Sequence, residues 1–389
     1  MLRAETPENK NQDPMLAGLT AAGFPVSYAE LLAKLQKQYP QWQFKVLDIS
    51  KLKSQYTWDH VIYMETDKSP RRSLISGSSK YAFYFHPDDE TIYDAGCRRA
   101  SRAAVEYFMD PRNFLNERDI FQFLDLTASA RIDERAVAAA LRGTFMAKGK
   151  LENGSSYAEY LTEVGKKLNV NAVFLASRVR QEQGLQGTPL ISGTCGSLLS
   201  KYYQENTQTE GRFTVLAPKE GFTVEDLEKL NGLYNFFNID AAGYGRFNIY
   251  LRGMREAQRG TPEMAVDWGA PQWDKRWKAL YGGAVKIAAI YIGNYQNTIY
   301  LQKWNVDPRS RTAKGYSRNF WGQYMQNIGA ALSEGRNMQS SFAKLNMLEL
   351  PFVFLIPIYK DMPASAAADP ADGKCSYYRS HSYKKSAAK

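Results

Sequence analysis

Cysteine and histidine are scarce in this sequence. Among 389 residues there are three of each: Cys97, Cys195 and Cys375, and His60, His86 and His381. The cysteines are far apart, odd in number and without a CxxC pair. That spacing argues against a zinc site and a disulfide framework, and leaves room for one bridge at most. The histidines are equally scattered, which argues against a metal cluster and against a Ser-His-Asp arrangement. Carboxylates are left as the natural catalytic groups, and no metal or other cofactor is expected. Long apolar runs are missing too. None reaches the roughly 18–20 residues that a membrane-spanning helix needs. The opening stretch, MLRAETPENKNQDP, lacks the apolar core of a signal peptide.

What is present is a large apolar and aromatic complement. Hydrophobic residues make up 44% of the chain, enough for a buried core and for more than one domain. The 25 Tyr, 19 Phe and 7 Trp suit sugar rings and bases as well as ordinary packing. The formal net charge is +10, spread along the chain rather than gathered into blocks. Such a balance favours polyanions as partners. No zinc-finger spacing or RNA-recognition signature accompanies it, so nucleic acid is not expected.

Patterning suggests four segments. Residues 1–21 are polar and read as a flexible N-terminus. Residues 22–150 carry helix and strand signals. Ser27 and Glu30 stand at capping-box spacing before a helix, WQFKVLDI follows as a strand, and Asp110 with Pro111 reads as a helix start. Asp88, Asp89 and Glu90 read as a solvated turn rather than a calcium site. The polar stretch KGKLENGSS, residues 148–156, marks a boundary. Residues 151–362 open with Ser156 and Glu159, again at capping-box spacing, and continue through helices, a Gly/Ser/Thr-rich stretch and an aromatic-amide segment. LELPFVFLIPIYKDMP resembles a terminal strand pair. Residues 363–389 read as a flexible tail or linker.

One residue stands out. In FLASRVRQEQG, a helical arrangement puts Ala172, Leu175, Ala176 and Val179 on one face, and Glu182 on that same face. Gly184 reads as the helix stop. Apolar surroundings and the negative end of the helix dipole both disfavour an ionised Glu182, which would raise its pKa and suit a general acid. The alternative is a solvated boundary residue paired with Arg178 four positions earlier.

Several stretches together resemble the glucosaminidase family, glycoside hydrolase family 73. They are YAEYLTEVGKKLNVNAVFLASRVRQEQG, LISGT, YNFFNIDA and NTIYLQKWNV, joined by FPVSYAELLAKLQKQYPQWQFKVLD, MDPRNFLNERDIFQFLDL and PFVFLIPIYKDMP. The resemblance covers roughly residues 22–362. It departs from the family's commonest form in carrying Asn238 where Gly is frequent. It implies an α+β fold: a lysozyme-like, mainly helical catalytic domain with a small β-rich lobe, beside an N-terminal α/β accessory region. It implies cleavage of peptidoglycan at the β-1,4 bond between N-acetylglucosamine and N-acetylmuramic acid, by a monomer that is secreted or associated with the cell wall. Glycan strands are the expected partner, with anionic wall polymers as a second partner suited to the charge.

Glycosidic cleavage needs an acid and a group that stabilises an oxocarbenium-like centre. Glu182 matches the acid. Asp240 is a candidate base, with capping of a turn as its alternative. Tyr234 would orient the substrate's acetamido group or ring. Asn235, Phe236, Phe237 and Asn238 are candidate substrate contacts, as are Gln296 and Tyr300, and Phe236 and Phe237 are expected to split between core and cleft floor. Trp304 reads as core. A lytic transglycosylase and a non-catalytic glycan-binding protein remain as alternative functions.

Overall fold

A computed structural model describes residues 13–69, 71–93, 96–127, 133–210, 213–216, 221–243 and 245–372. The chain is α+β and mainly helical, with three two-stranded sheets among the described residues. It divides into two compact units. One comprises residues 1–125, 294–339 and 348–389, and the other residues 126–293 and 340–347. The polar stretch 148–156 therefore falls inside the second unit, and the 151–362 segment is shared between both.

In the first unit, strand Gln43–Asp48 pairs in parallel with strand Val353–Ile358. The C-terminal stretch thus supplies one strand rather than a pair of its own. Pro357 is accommodated because a two-stranded sheet leaves one side of each strand without ladder bonds. Trp42 anchors the core here. It stacks on Tyr39 at 4.0 Å, packs edge-on against Phe121 and lies tilted against Phe354. Its indole N–H donates to the Leu348 carbonyl at 2.8 Å, which satisfies the buried polar atom. A short antiparallel pair joins Leu74–Ser76 with Cys97–Arg99.

Three local expectations need correction. The helix after Phe24 runs Val26–Gln38 with Pro25 at its N-cap, so Ser27 sits inside the first turn and forms no capping box. Residues 14–21 are not loose: Asp13 caps a helix Pro14–Ala21. Nor is the start of the supposed tail loose. Arg112, buried beside Asp110, donates to the carbonyls of Pro363, Ala364 and Ser365, and Asn113 donates to Ala367. Tyr84 donates to Asp369 at 2.9 Å. Residues 373–389, with Cys375 and His381, lie outside the described part.

The second unit is helical apart from a hairpin, Thr207–Glu210 with Phe213–Leu216. Ser156 and Glu159 form the expected capping box at the start of helix Tyr157–Leu168. That helix ends at Asn169, and helix Ala172–Gln183 begins almost at once. Gly165 makes the tight turn feasible, since a Cβ there would meet the Val170 carbonyl at 2.7 Å and the Ala172 Cβ at 2.9 Å. Ala172, Leu175, Ala176 and Val179 are all buried, as the helical face predicts.

Candidate active site

Helix Ala172–Gln183 delivers Glu182 in its last turn and stops at Gly184, whose φ of 66° needs no side-chain tolerance. Glu182 is half-buried. The Asn238 side-chain amide donates to its Oε2 at 2.7 Å and to its backbone carbonyl at 3.1 Å. Arg178, four positions earlier, is buried at 1% exposure.

The neighbouring Gln183 is buried and ties the helix end to the aromatic-amide turn. Its amide donates to the carbonyls of Asn235 and Phe236 and to Asn238 Oδ1, at 3.0, 3.1 and 2.7 Å. Its own Oε1 accepts from the Thr188 hydroxyl. Asn238 is thus held on one side by Gln183 while it holds Glu182 on the other. Its φ of 51° explains the residue choice. Asn tolerates the left-handed conformation better than other side-chain-bearing residues, and here it adds a donor that glycine lacks.

Beside this cluster lies a cleft of about 630 Å³. Phe145, Tyr157 and Phe236 give it apolar and aromatic walls, Lys148 and Arg276 positive charge, and Thr188, Ser192 and Thr194 hydroxyls. Arg276 is fixed by Glu152 at 2.7 Å and donates to the Tyr157 hydroxyl at 3.3 Å. Burial disfavours an ionised Glu152, but Arg276 outweighs it and holds that carboxyl below its ordinary range. Burial raises the Tyr157 phenol, with Arg276 pulling the other way.

Tyr234 is half-buried, and its hydroxyl lies against Gly193 of LISGT. A Cβ at Gly193 would come within 2.9 Å of that oxygen, at a φ of 77°. Glycine there is required twice over.

The other expected site residues scatter. Asn235 is fully buried. Its side chain donates to the carbonyls of Ile239 and Gly253 and accepts from the Ile239 N–H, so it shapes the turn. Phe236 and Phe237 are both buried rather than split between core and cleft floor: Phe236 borders the cleft from within the core, and Phe237 packs against Gly283. Asp240 pairs with Arg252 at 2.6 Å and Arg259 at 3.6 Å. Gln296 and Tyr300 belong to the first unit and are fully buried. Gln296 donates to the carbonyls of Leu301 and Gly322, and Tyr300 donates to that of Met109. Both are committed to the interior and leave the candidate site. Trp304 is core.

Sequence reasoning did not select Gln183, Thr188, Tyr157 or Arg276. The first three lie within or beside the quoted stretches, but nothing local distinguishes a buried tether from a solvated amide. Cys195 is buried, and burial pushes its thiol up to about 12, which makes it inert. No group of three or more His, Cys, Asp or Glu able to hold a metal occurs among the described residues.

No family model matches the chain. It is 24% identical over 264 residues to a bifunctional autolysin of Staphylococcus epidermidis strain ATCC 12228. A second S. epidermidis bifunctional autolysin is 23% identical over the same length. The resemblance to the glucosaminidase family is borne out. Each alignment covers 67% of this chain, which spans 15% of the length of those relatives. Among solved structures, S. aureus glucosaminidase B aligns with 82% of this chain and 94% of its own, at 20% identity and a TM-score of 0.45. A structure of the major bifunctional autolysin aligns with 82% and 99%, at 18% identity and a TM-score of 0.45.

Proposed function

We propose that this chain is a peptidoglycan hydrolase, an endo-β-N-acetylglucosaminidase cleaving the β-1,4 bond between N-acetylglucosamine and N-acetylmuramic acid. The observation that carries the reading is the coupling of Glu182 to Asn238. A helix-end carboxylate is held by an amide from the aromatic turn, next to a cleft with sugar-compatible walls. The sequence similarity to bifunctional autolysins supports the same chemistry.

Glu182 acts as general acid. Asn238 orients its carboxyl, and the Glu182 proton passes to the leaving glycosidic oxygen. Phe145, the partly exposed aromatic ring of the cleft, takes the apolar face of a sugar ring. Lys148 and Arg276 attract the carboxylates that muramic acid and its stem peptide carry. Asp240 is tied to two arginines, which favours its turn-shaping role. The substrate's own acetamido group then stabilises the developing positive centre, a variant known among glycosidases. Tyr234, whose hydroxyl lies against Gly193 between the cleft-lining Ser192 and Thr194, orients that group. The enzyme works as a monomer on glycan strands in or near the cell wall, with its positive charge holding it near anionic wall polymers.

The test is mass spectrometry of borohydride-reduced muropeptides from purified peptidoglycan. Wild type should yield N-acetylglucosaminitol ends, and Glu182→Gln should yield none. Muramitol ends would replace this reading with a muramidase, anhydromuramic ends with a transglycosylase. Intact glycan with folded wild type would make the chain a binding protein. Asp240→Asn should retain most of the rate, and a loss of about a thousandfold or more would assign it the base.

A further inference from the structure

The second unit carries another hollow, of about 280 Å³, whose residues do not overlap those of the cleft. Trp268, Trp277, Tyr281 and Tyr160 wall it, and Asn153 and Glu163 rim it with polar groups. The aromatic rings meet at right angles. Trp268 packs on Trp277 at 4.9 Å and 86°, and on Tyr281 at 4.9 Å and 79°. Both tryptophans are half-buried, and the tyrosines beside them are buried. Lys167 stands over the faces of Tyr281 at 4.8 Å and Trp268 at 5.5 Å, within 3.6 Å of Asp267.

We propose that this hollow is a second glycan-binding site, taking one N-acetylhexosamine ring of a strand that also occupies the cleft. Its chemistry matches a sugar ring on both counts. Indole faces suit the apolar C–H face of a pyranose, and an amide, a carboxylate and an ammonium at the rim suit its hydroxyls and acetamido group. The volume lies near the lower end of small-molecule sites, about 300 Å³, which fits a single ring rather than an oligomer.

Position supplies the second argument. The hollow and the cleft draw on the same two helices, Tyr157–Leu168 and Arg276–Ile290. Tyr157 and Arg276 line the cleft, and Tyr160 and Trp277 line the hollow. Glu152, which fixes Arg276, precedes Asn153 at the rim. A polymer leaving the cleft over Arg276 therefore meets the hollow next. Binding there would keep a long strand engaged after each cut. The proposal rests on the glycan substrate proposed above.

The test uses the full chain carrying Glu182→Gln and labelled with 5-fluorotryptophan. Seven fluorine resonances are expected, one per tryptophan. Trp268→Phe and Trp277→Phe assign the two of interest. Titration with chitotetraose, the β-1,4 tetramer of N-acetylglucosamine, should move both resonances to saturation. Asn153→Ala, an exposed loop change that also removes the acceptor of the Ser155 N–H, should weaken that saturation about three- to tenfold, with thermal unfolding measured alongside to check that the turn holds. Resonances that stay still, whether or not calorimetry detects tetramer binding, would overturn the proposal. So would movement with tetramethylammonium but not with the tetramer, which would make the hollow a cation cage. If the tetramer moves both resonances while wild type leaves peptidoglycan uncut, the hollow stands and the hydrolase reading falls.

Discussion

Replacing Asn238 by glycine isolates the contribution of one amide to the proposed acid. Asn238 sits at a φ of 51°, a conformation that glycine adopts without strain. The substitution therefore keeps the backbone path and removes only the side chain. Lost with it are the donor to Glu182 Oε2, the donor to the Glu182 carbonyl and the acceptor for Gln183. A hydrogen bond to a charged group contributes about 1.5–3 kcal/mol. If all of that serves to orient the carboxylate in the transition state, kcat falls about 10- to 150-fold. The two neutral bonds contribute about 1 kcal/mol each, and relief of the left-handed backbone returns part of it. Net stability should thus fall by about 1–2 kcal/mol, leaving the chain folded. Asn238→Ala should be worse in stability by about another 1 kcal/mol, with a similar kcat. Initial rates of reducing-end release from soluble glycan fragments, read alongside thermal unfolding, separate the two effects. A folded Asn238→Gly protein with kcat within twofold of wild type would refute the idea that Asn238 positions Glu182.

Other features give sharper stability tests. Gly193→Ala should cost about 1–2 kcal/mol in thermal unfolding and displace Tyr234, because both the positive φ and the 2.9 Å approach to its hydroxyl oppose a Cβ. Arg112→Ala should release residues 363–369 to limited proteolysis while costing about 3–5 kcal/mol, since it strands buried Asp110. In the first unit, burial pushes the Glu65 carboxyl up to about 7 and the Lys303 ammonium down to about 8. The folded state then holds the Glu65 proton where the unfolded state has lost it, so this residue's contribution to stability should fall as pH rises from about 4.5 to about 7. The folded state also sheds the Lys303 proton early, so stability should recover from about 8 to about 10.5. Denaturant unfolding of wild type against the Glu65→Gln, Lys303→Met double variant checks this, and an unchanged pH slope would refute it.

The parts of the site legible in the sequence were those set by local geometry. Helical spacing placed Glu182 on the face of Leu175 and Val179, and Gly184 marked the stop. What stayed hidden depends on distant partners. Ser27 and Ser156 stand before Glu at the same spacing, yet only Ser156 caps a helix, because Pro25 starts the earlier one two residues sooner. Gln296 and Tyr300 have the polar groups of a sugar site, but their carbonyl partners lie within the first unit and consume those groups. Gln183 shows the reverse case. An amide beside a glutamate reads as solvated, and only the fold reveals that three of its contacts hold the turn opposite while a fourth accepts from Thr188. Residues 363–372 have a tail's composition, and Arg112, some 250 positions away, holds the first three of them.

The parallel pairing of Gln43–Asp48 with Val353–Ile358 also bears on synthesis at the ribosome. The first strand emerges early and must wait for its mate while about 300 further residues are added, which at about 5–20 residues per second is some 15–60 seconds. During that interval it exposes a sheet edge and the apolar side of Trp42 to the cell. The second unit, residues 126–293 and 340–347, has all its residues only a few positions before Val353 is added, and nearly all of them long before that. Maturation then runs from the middle outward, and truncation just before Val353 should leave the middle unit folded while the outer one stays open to chaperones and proteases.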